Sequence, residues 1–240
     1  MKYLSIAFHL LTTLPVRSPQ EWEAGDSGRA AGWYPFVGLL IGGLVAGVYF
    51  LSGSFFSPLV TAALALTAWV ALTGGLHLDG LADCCDGLLH ASSPERRLEI
   101  MKDSRLGAFG GIGLMLVLIL KVSALASLTT VQAVPIILFA ASLGRWSILP
   151  AGFQPLARPG GMGADFASGL QRSSLVWGGL APLGLAIVIG LQGIIALGLA
   201  LLVLYFLLRF VRARIGGVTG DVFGLVVEVT ETIILISLSA

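Results

Sequence analysis

Asp79, Asp83 and Asp86 stand at i, i+4 and i+7 in the run HLDGLADCCDGLLH. A helix turns about 100° per residue, so the three carboxylates fall within roughly 60° of one another on one face. Two carboxylates about 4 Å apart repel by on the order of 4 kcal/mol at an effective dielectric near 20, so such a face persists only if protonated, solvated or filled by a cation. A cation is the expected solution. The donors are oxygens alone, with no matching His or Cys pattern, which suits a hard ion, and Mg²⁺ is the usual one where phosphates are handled. Asp79, Asp83 and Asp86 are the expected metal ligands. Gly80 and Gly87 directly follow two of these acids and permit close approach by a ligand or a neighbouring helix. His90 falls on the acidic face and His77 nearly opposite; both are expected to pack or to support the acids from behind.

Two further stretches carry polar chemistry. Lys102-Asp103-Ser104-Arg105, followed by Gly107 and Gly110, packs two cations, an acid and a hydroxyl in front of a helix start, which suits an anion such as phosphate. Juxtamembrane Lys and Arg also anchor helices to lipid headgroups. Near the end, Gly216-Gly217-Val218-Thr219-Gly220-Asp221 leads to Glu228 and Glu231, with the three acids at i, i+7 and i+10 on one broad helix face. A glycine turn that opens a helix can hold phosphate through its amides, and carboxylates inside an apolar span are read as functional. Lys102, Ser104, Arg105, Gly217, Thr219, Gly220, Asp221 and Glu228 are the expected substrate-binding residues.

The elements that must position these groups are apolar. The chain has 240 residues, is 56% hydrophobic and only 11% charged, and contains 32 glycines at a mean hydropathy of +0.94. That composition describes a polytopic, all-α integral membrane bundle and excludes an ordinary soluble core. A single domain of about seven spans is expected: Trp33 to Leu51, Pro58 to Leu72, the glycine run to about Leu128, Val134 to Leu149, two between Ser174 and Leu208 broken at Gln192-Gly193, and one from Asp221 onward. A short amphipathic helix, Tyr3 to Leu14, precedes them and ends at Pro15. No cleavable signal peptide is expected. Ser93-Pro94-Glu95 reads as a helix start, and 150–172, rich in Gly and Pro, as a loop. With the N-terminus in the cytoplasm, every Lys and Arg except Lys121 lies on or toward the cytoplasmic side, Arg17 among them, as the positive-inside rule expects. The acidic segment 77–107 then faces the cytoplasm. Cys84 and Cys85 adjoin each other and form no disulfide framework. No basic tract for nucleic acid is present.

The runs HLDGLADCCDGLLH, KDSRLGAFGGIG and GGVTGDVFGLVVEVTE, with LTTLPVR and WYPFVGLLIGG earlier, resemble the cobalamin synthase family, the adenosylcobinamide-GDP ribazoletransferases, over nearly the whole chain. The resemblance implies a transferase in the prokaryotic cytoplasmic (inner) membrane that acts in nucleotide loop assembly of cobalamin biosynthesis. It implies Mg²⁺-dependent joining of adenosylcobinamide-GDP to α-ribazole or its 5′-phosphate, with release of GMP. In that reaction Asp79, Asp83, Asp86 and Asp103 would be catalytic, with Asp86 or Asp103 taking the proton of the attacking hydroxyl. A CDP-alcohol phosphatidyltransferase-like enzyme is the nearest alternative, but its Gly-Ala-Arg segment is absent between Asp79 and Asp86. A cation-coupled transporter would instead use Glu228, Glu231 and Lys121 as a path. Self-association is left open.

Overall fold

The computed structural model describes residues 2–16 and 21–239; Arg17, included in the charge asymmetry above, lies outside the described residues. Helix α1 (Lys2–Leu11) is followed by a short α2 (Asp26–Arg29) and by a 3-10 turn, Ala31–Trp33, that leads into α3 (Tyr34–Gly53). Then come α4 (Pro58–Thr73), α5 (Leu76–Leu89), α6 (Pro94–Ile100), α7 (Ala108–Ser127), α8 (Thr130–Gly152), α9 (Gly161–Gly169), α10 (Arg172–Ile189), α11 (Leu191–Ile215) and α12 (Gly220–Ser237). The all-α membrane bundle expected from the sequence is the fold found.

Local chemistry sets many of the boundaries. Ser93 caps α6, its hydroxyl accepting from the Arg96 amide at 3.3 Å, with Pro94 in the first turn where no amide is needed. Thr129 and Gln132 form a reciprocal capping box at the start of α8. The break between α10 and α11 falls at Gly190, two residues before the expected Gln192-Gly193. The 150–172 segment, expected as a loop, contains α9.

Among the described residues, five helical segments are long and apolar enough to cross a membrane: Ala31–Gly53, α7, α8, α10 and α11. A sixth is counted if α4 and α5 are one bent span; α12, the seventh expected, carries three carboxylates. α4 and α5 meet at 90°, through Gly74 and Gly75, both at positive φ. Two consecutive left-handed residues turn the chain sharply, which only glycine does cheaply. We read α5 as lying across the end of the bundle, outside the spanning helices. α8 and α12 form the packed centre, α3 lies against α8, and α5 and α7 lie against α12. Much of the apolar surface of α7, α10 and α11 is uncovered, as lipid-facing helices require.

Hydrogen bonds show which helix ends share a face of the bundle. The end of α4 meets the segment after α1 through the Thr13 amide, 2.8 Å from the Leu72 carbonyl. Arg97 on α6 donates to the Arg214 carbonyl near the end of α11 at 3.0 Å, and the Asp165 carboxylate on α9 accepts from Gly25 and Ser27. At the opposite end, the Tyr49 hydroxyl donates to the carbonyls of Leu125 and Leu128. The turns there, 51–61, 126–134 and 187–195, contain no charged residue.

Candidate active site

α5 sits between the N-terminal turns of α7 and α12, and that position decides what its acids meet. Gly80 is the reason it fits so closely. A Cβ there would lie 2.6 Å from the Asp221 carbonyl oxygen, and one on Gly224 would lie 2.7 Å from the His77 carbonyl oxygen. The two helices therefore touch backbone to backbone, and Asp221 on α12 joins the acids of α5.

The carboxylates have separate surroundings. Asp79 and Asp83 find no hydrogen-bond or ion-pair partner among the described residues. Burial lifts the Asp83 carboxyl to about 6, and the negative charges of Asp79, Asp221 and Asp86 push in the same direction. Asp86 is already engaged: its two oxygens accept from the backbone amides of Gly107 at 2.8 Å and Gly110 at 2.9 Å. It caps α7 from a neighbouring helix, placing negative charge on the positive end of that helix dipole. Asp221 accepts from the Thr219 hydroxyl at 3.0 Å and has Arg158 at 3.7 Å. The acidic cluster thus comprises Asp79, Asp83 and Asp221, with Asp86 beside them.

The expected substrate-binding residues divide. Lys102, Ser104 and Arg105 lie exposed on the segment that leads to Gly107, next to Asp86. Arg105 pairs with Asp103 at 2.6 Å, and that hydrogen bonding draws the Asp103 carboxyl down to about 2. A base so weak is poorly suited to taking a proton. Gly217 is buried against the 155–157 backbone, where the Val218 amide donates to the Pro155 carbonyl and the Ala157 amide to the Val218 carbonyl. Its task is to pin the 150–172 segment to the turn before α12. Gly220 and Asp221 line a cavity. Glu228 does not: it is buried and accepts from Lys121 Nζ at 2.6 Å. Lys121 also pairs with Glu231 at 2.5 Å, Glu231 pairs with Arg145, and the Trp69 ring centroid lies 5.3 Å from Lys121 Nζ. Two cations and two carboxylates neutralise one another inside the bundle. They are a structural pin and leave no free charge for a transport path.

The cavity encloses about 420 Å³ beside Asp79 and Asp221. Its walls come from α1 (Leu10, Leu11), from Trp22, from α9 (Met162, Phe166) and from α12 (Phe223), with Tyr34 and His77 further in. Sequence reasoning placed His77 away from the action and gave no role to Trp22, Phe166 or Asp165. The available hint was location: the amphipathic start and the 150–172 segment lie at the face of the acids and are the walls that sequence offers for an entrance, and both contribute to the lining.

The donor set suits a hard divalent cation: unpartnered carboxylate oxygens whose mutual repulsion a positive charge would relieve. No three acidic, His or Cys side chains among the described residues form a ready metal cage. Mg²⁺ is commonly held by one or two carboxylates together with water and substrate phosphates.

Fold and site together define a polytopic α-helical membrane protein with an acidic, aromatic-walled cavity at one end of the bundle. The chain belongs to the cobalamin-5-phosphate synthase family, whose model matches residues 3–239. An adenosylcobinamide-GDP ribazoletransferase of Pseudomonas paraeruginosa is 43% identical over 243 aligned residues, covering 100% of this chain and 98% of the relative. Proteins of the same name from Desulfitobacterium hafniense and Roseiflexus are 39% and 37% identical, covering 98% and 97% of this chain and 96% and 87% of theirs. No solved structure matches.

Proposed function

We propose that this chain transfers the adenosylcobinamide phosphate group from adenosylcobinamide-GDP to α-ribazole or its 5′-phosphate, releasing GMP. The observation that carries the reading is that Asp79 and Asp221 line an aromatic-walled cavity, with Asp83 near enough to feel both charges, in a chain whose relatives bear that activity in their names. A ribazole hydroxyl oxygen bonds to the phosphorus on the cobinamide side. The bond from that phosphorus to the bridging oxygen breaks, GMP departs with that oxygen, and the hydroxyl proton passes to solvent.

Phosphoryl transfer through a loose transition state needs positioning and charge neutralisation more than a strong base. Asp79 and Asp83, with Asp221 facing them from α12, are the residues that would offer oxygens to Mg²⁺, one or two of them alongside the substrate phosphates. Bound there, Mg²⁺ supplies neutralisation of the diphosphate charge. The chain's own contributions are geometric. Gly80 and Gly224 fix α5 against α12, and Asp86 fixes the start of α7, which presents Lys102 and Arg105 beside the acids for the donor's phosphates.

We also place the acids on the cytoplasmic side of a prokaryotic inner membrane. Support comes from the basic residues, which gather at the acidic end of the bundle, while the other end has none. A membrane-impermeant thiol reagent should label a cysteine introduced at Lys102 in inverted vesicles and spare it in intact cells.

The test of the reaction is GMP release by purified protein in detergent micelles supplied with adenosylcobinamide-GDP, α-ribazole and Mg²⁺. Release that needs both substrates and stops on chelation is expected, with a CDP-linked donor inert. Failure to release GMP under those conditions would sink the reading.

A further inference from the structure

We propose that the 420 Å³ cavity seats the flat base of the ribazole acceptor, held between Trp22 and Phe223 with His77 meeting a polar atom of the nucleoside, while the corrinoid of the donor stays outside. This assignment rests on the ribazole-transfer reading and divides its site between the two substrates.

Size is the first argument. A cavity of this volume is in the range that encloses a drug-sized molecule, and a nucleoside with a bicyclic base fits it. A corrin ring with its amide side chains is several times larger and does not. The walls are the second argument. Trp22, Phe166 and Phe223 offer ring faces and edges to a planar aromatic guest, and the Phe166 and Phe223 centroids lie 5.0 Å apart in a tilted arrangement.

The third argument is an atom without a partner. His77 is 3% exposed, lines the cavity, and its Nδ1 makes no hydrogen bond within the protein. Buried polar atoms are nearly always satisfied, and leaving one unpaired costs stability. By contrast, Asp165 and Tyr34 spend their polar atoms on the segment around α2, Asp165 on Gly25 and Ser27, Tyr34 on the Ser27 carbonyl. Asp79 and Asp221 stand in the same lining, so a base seated against His77 brings its sugar beside the acids where the diphosphate reacts.

Two measurements test this with the full-length protein in detergent micelles. In equilibrium dialysis, radiolabelled α-ribazole should bind wild type, and unlabelled benzimidazole should displace it; no saturable binding, or no displacement, overturns the assignment. In steady state, Trp22→Ala and His77→Phe, each checked for a wild-type melting transition, should raise KM for α-ribazole by about tenfold with KM for adenosylcobinamide-GDP unchanged. A rise in the donor's KM alone, or no change in either, overturns it. Wild type that binds α-ribazole but releases no GMP refutes the reaction and leaves the pocket standing. GMP release without the KM pattern does the reverse.

Discussion

Replacing Asp83 by asparagine separates the electrostatics of the acidic face from its chemistry. In the metal-free protein, burial and three neighbouring carboxylates raise the Asp83 carboxyl from an ordinary 3.8 to about 6. An acid whose pKa is higher when folded ionises more readily in the unfolded chain. Stability is therefore lost as pH rises from about 4 to about 6, and the whole cost is present above that. At 1.36 kcal/mol for each pH unit the rise corresponds to roughly 3 kcal/mol. Asp83 is only half-buried, so solvent screening reduces the expected cost to about 1 to 2 kcal/mol. Asp83→Asn carries no charge, and without divalent ions near pH 7.5 it should melt above wild type by about 2 to 8 °C, at roughly 2 to 4 °C per kcal/mol. That advantage should vanish near pH 4. With Mg²⁺ present the order should invert, because wild type gains about 2.7 kcal/mol at a hundredfold excess over Kd whereas the variant has lost a ligand. GMP release by the variant should fall below detection while it still inserts in the membrane. Tryptophan fluorescence melts in chelator and in Mg²⁺, at the two pH values, read all of this. A variant that melts below wild type in chelator near pH 7.5 would refute the repulsion. Equal stabilisation of both proteins by Mg²⁺ would refute ligation by Asp83.

Asp86→Ala removes the acceptor of two amides at the start of α7 and should lower stability by about 1 to 3 kcal/mol, seen as a lower melting temperature with and without Mg²⁺. Lys121→Ala leaves Glu228 and Glu231 with fewer cations than charges and should cost about 3 to 5 kcal/mol, measured as loss of monodisperse protein after detergent extraction. Gly80→Ala drives a methyl group into the Asp221 carbonyl and should cut kcat by more than about tenfold as the acids of α5 and α12 separate; unchanged kcat would show that the two helices can move apart without cost.

The sequence made the helices legible because hydropathy and capping residues act locally: Pro58 and Ser93 mark starts that the structure retains, and the last helix begins one residue before the expected Asp221. It also placed Asp79 and Asp83 on one face. What it could not supply was which helices meet. Asp86 has the spacing of a third ligand and also accepts from the amides of Gly107 and Gly110, a contact that only tertiary packing brings about. Glu228 and Glu231 read as functional because carboxylates are expensive in lipid; the structure answers that cost with Lys121 and Arg145 from two other helices. α9 escaped notice because it is short and three of its nine residues are glycine. It is held by the Asp165 contacts to α2, which no local pattern announces.

The backbone contact between α5 and α12 also bears on ion choice. With Gly80 and Gly224 pressed together, the reach from Asp79 to Asp221 is set by the main chain, and side-chain rotation is the only freedom left to adjust it. A wider ion such as Ca²⁺, with longer bonds and more ligands to satisfy, would meet the same constraint as the proposed Mg²⁺. Under the proposed Mg²⁺ reading, any discrimination by ionic radius would rest on two residues that have no side chain at all.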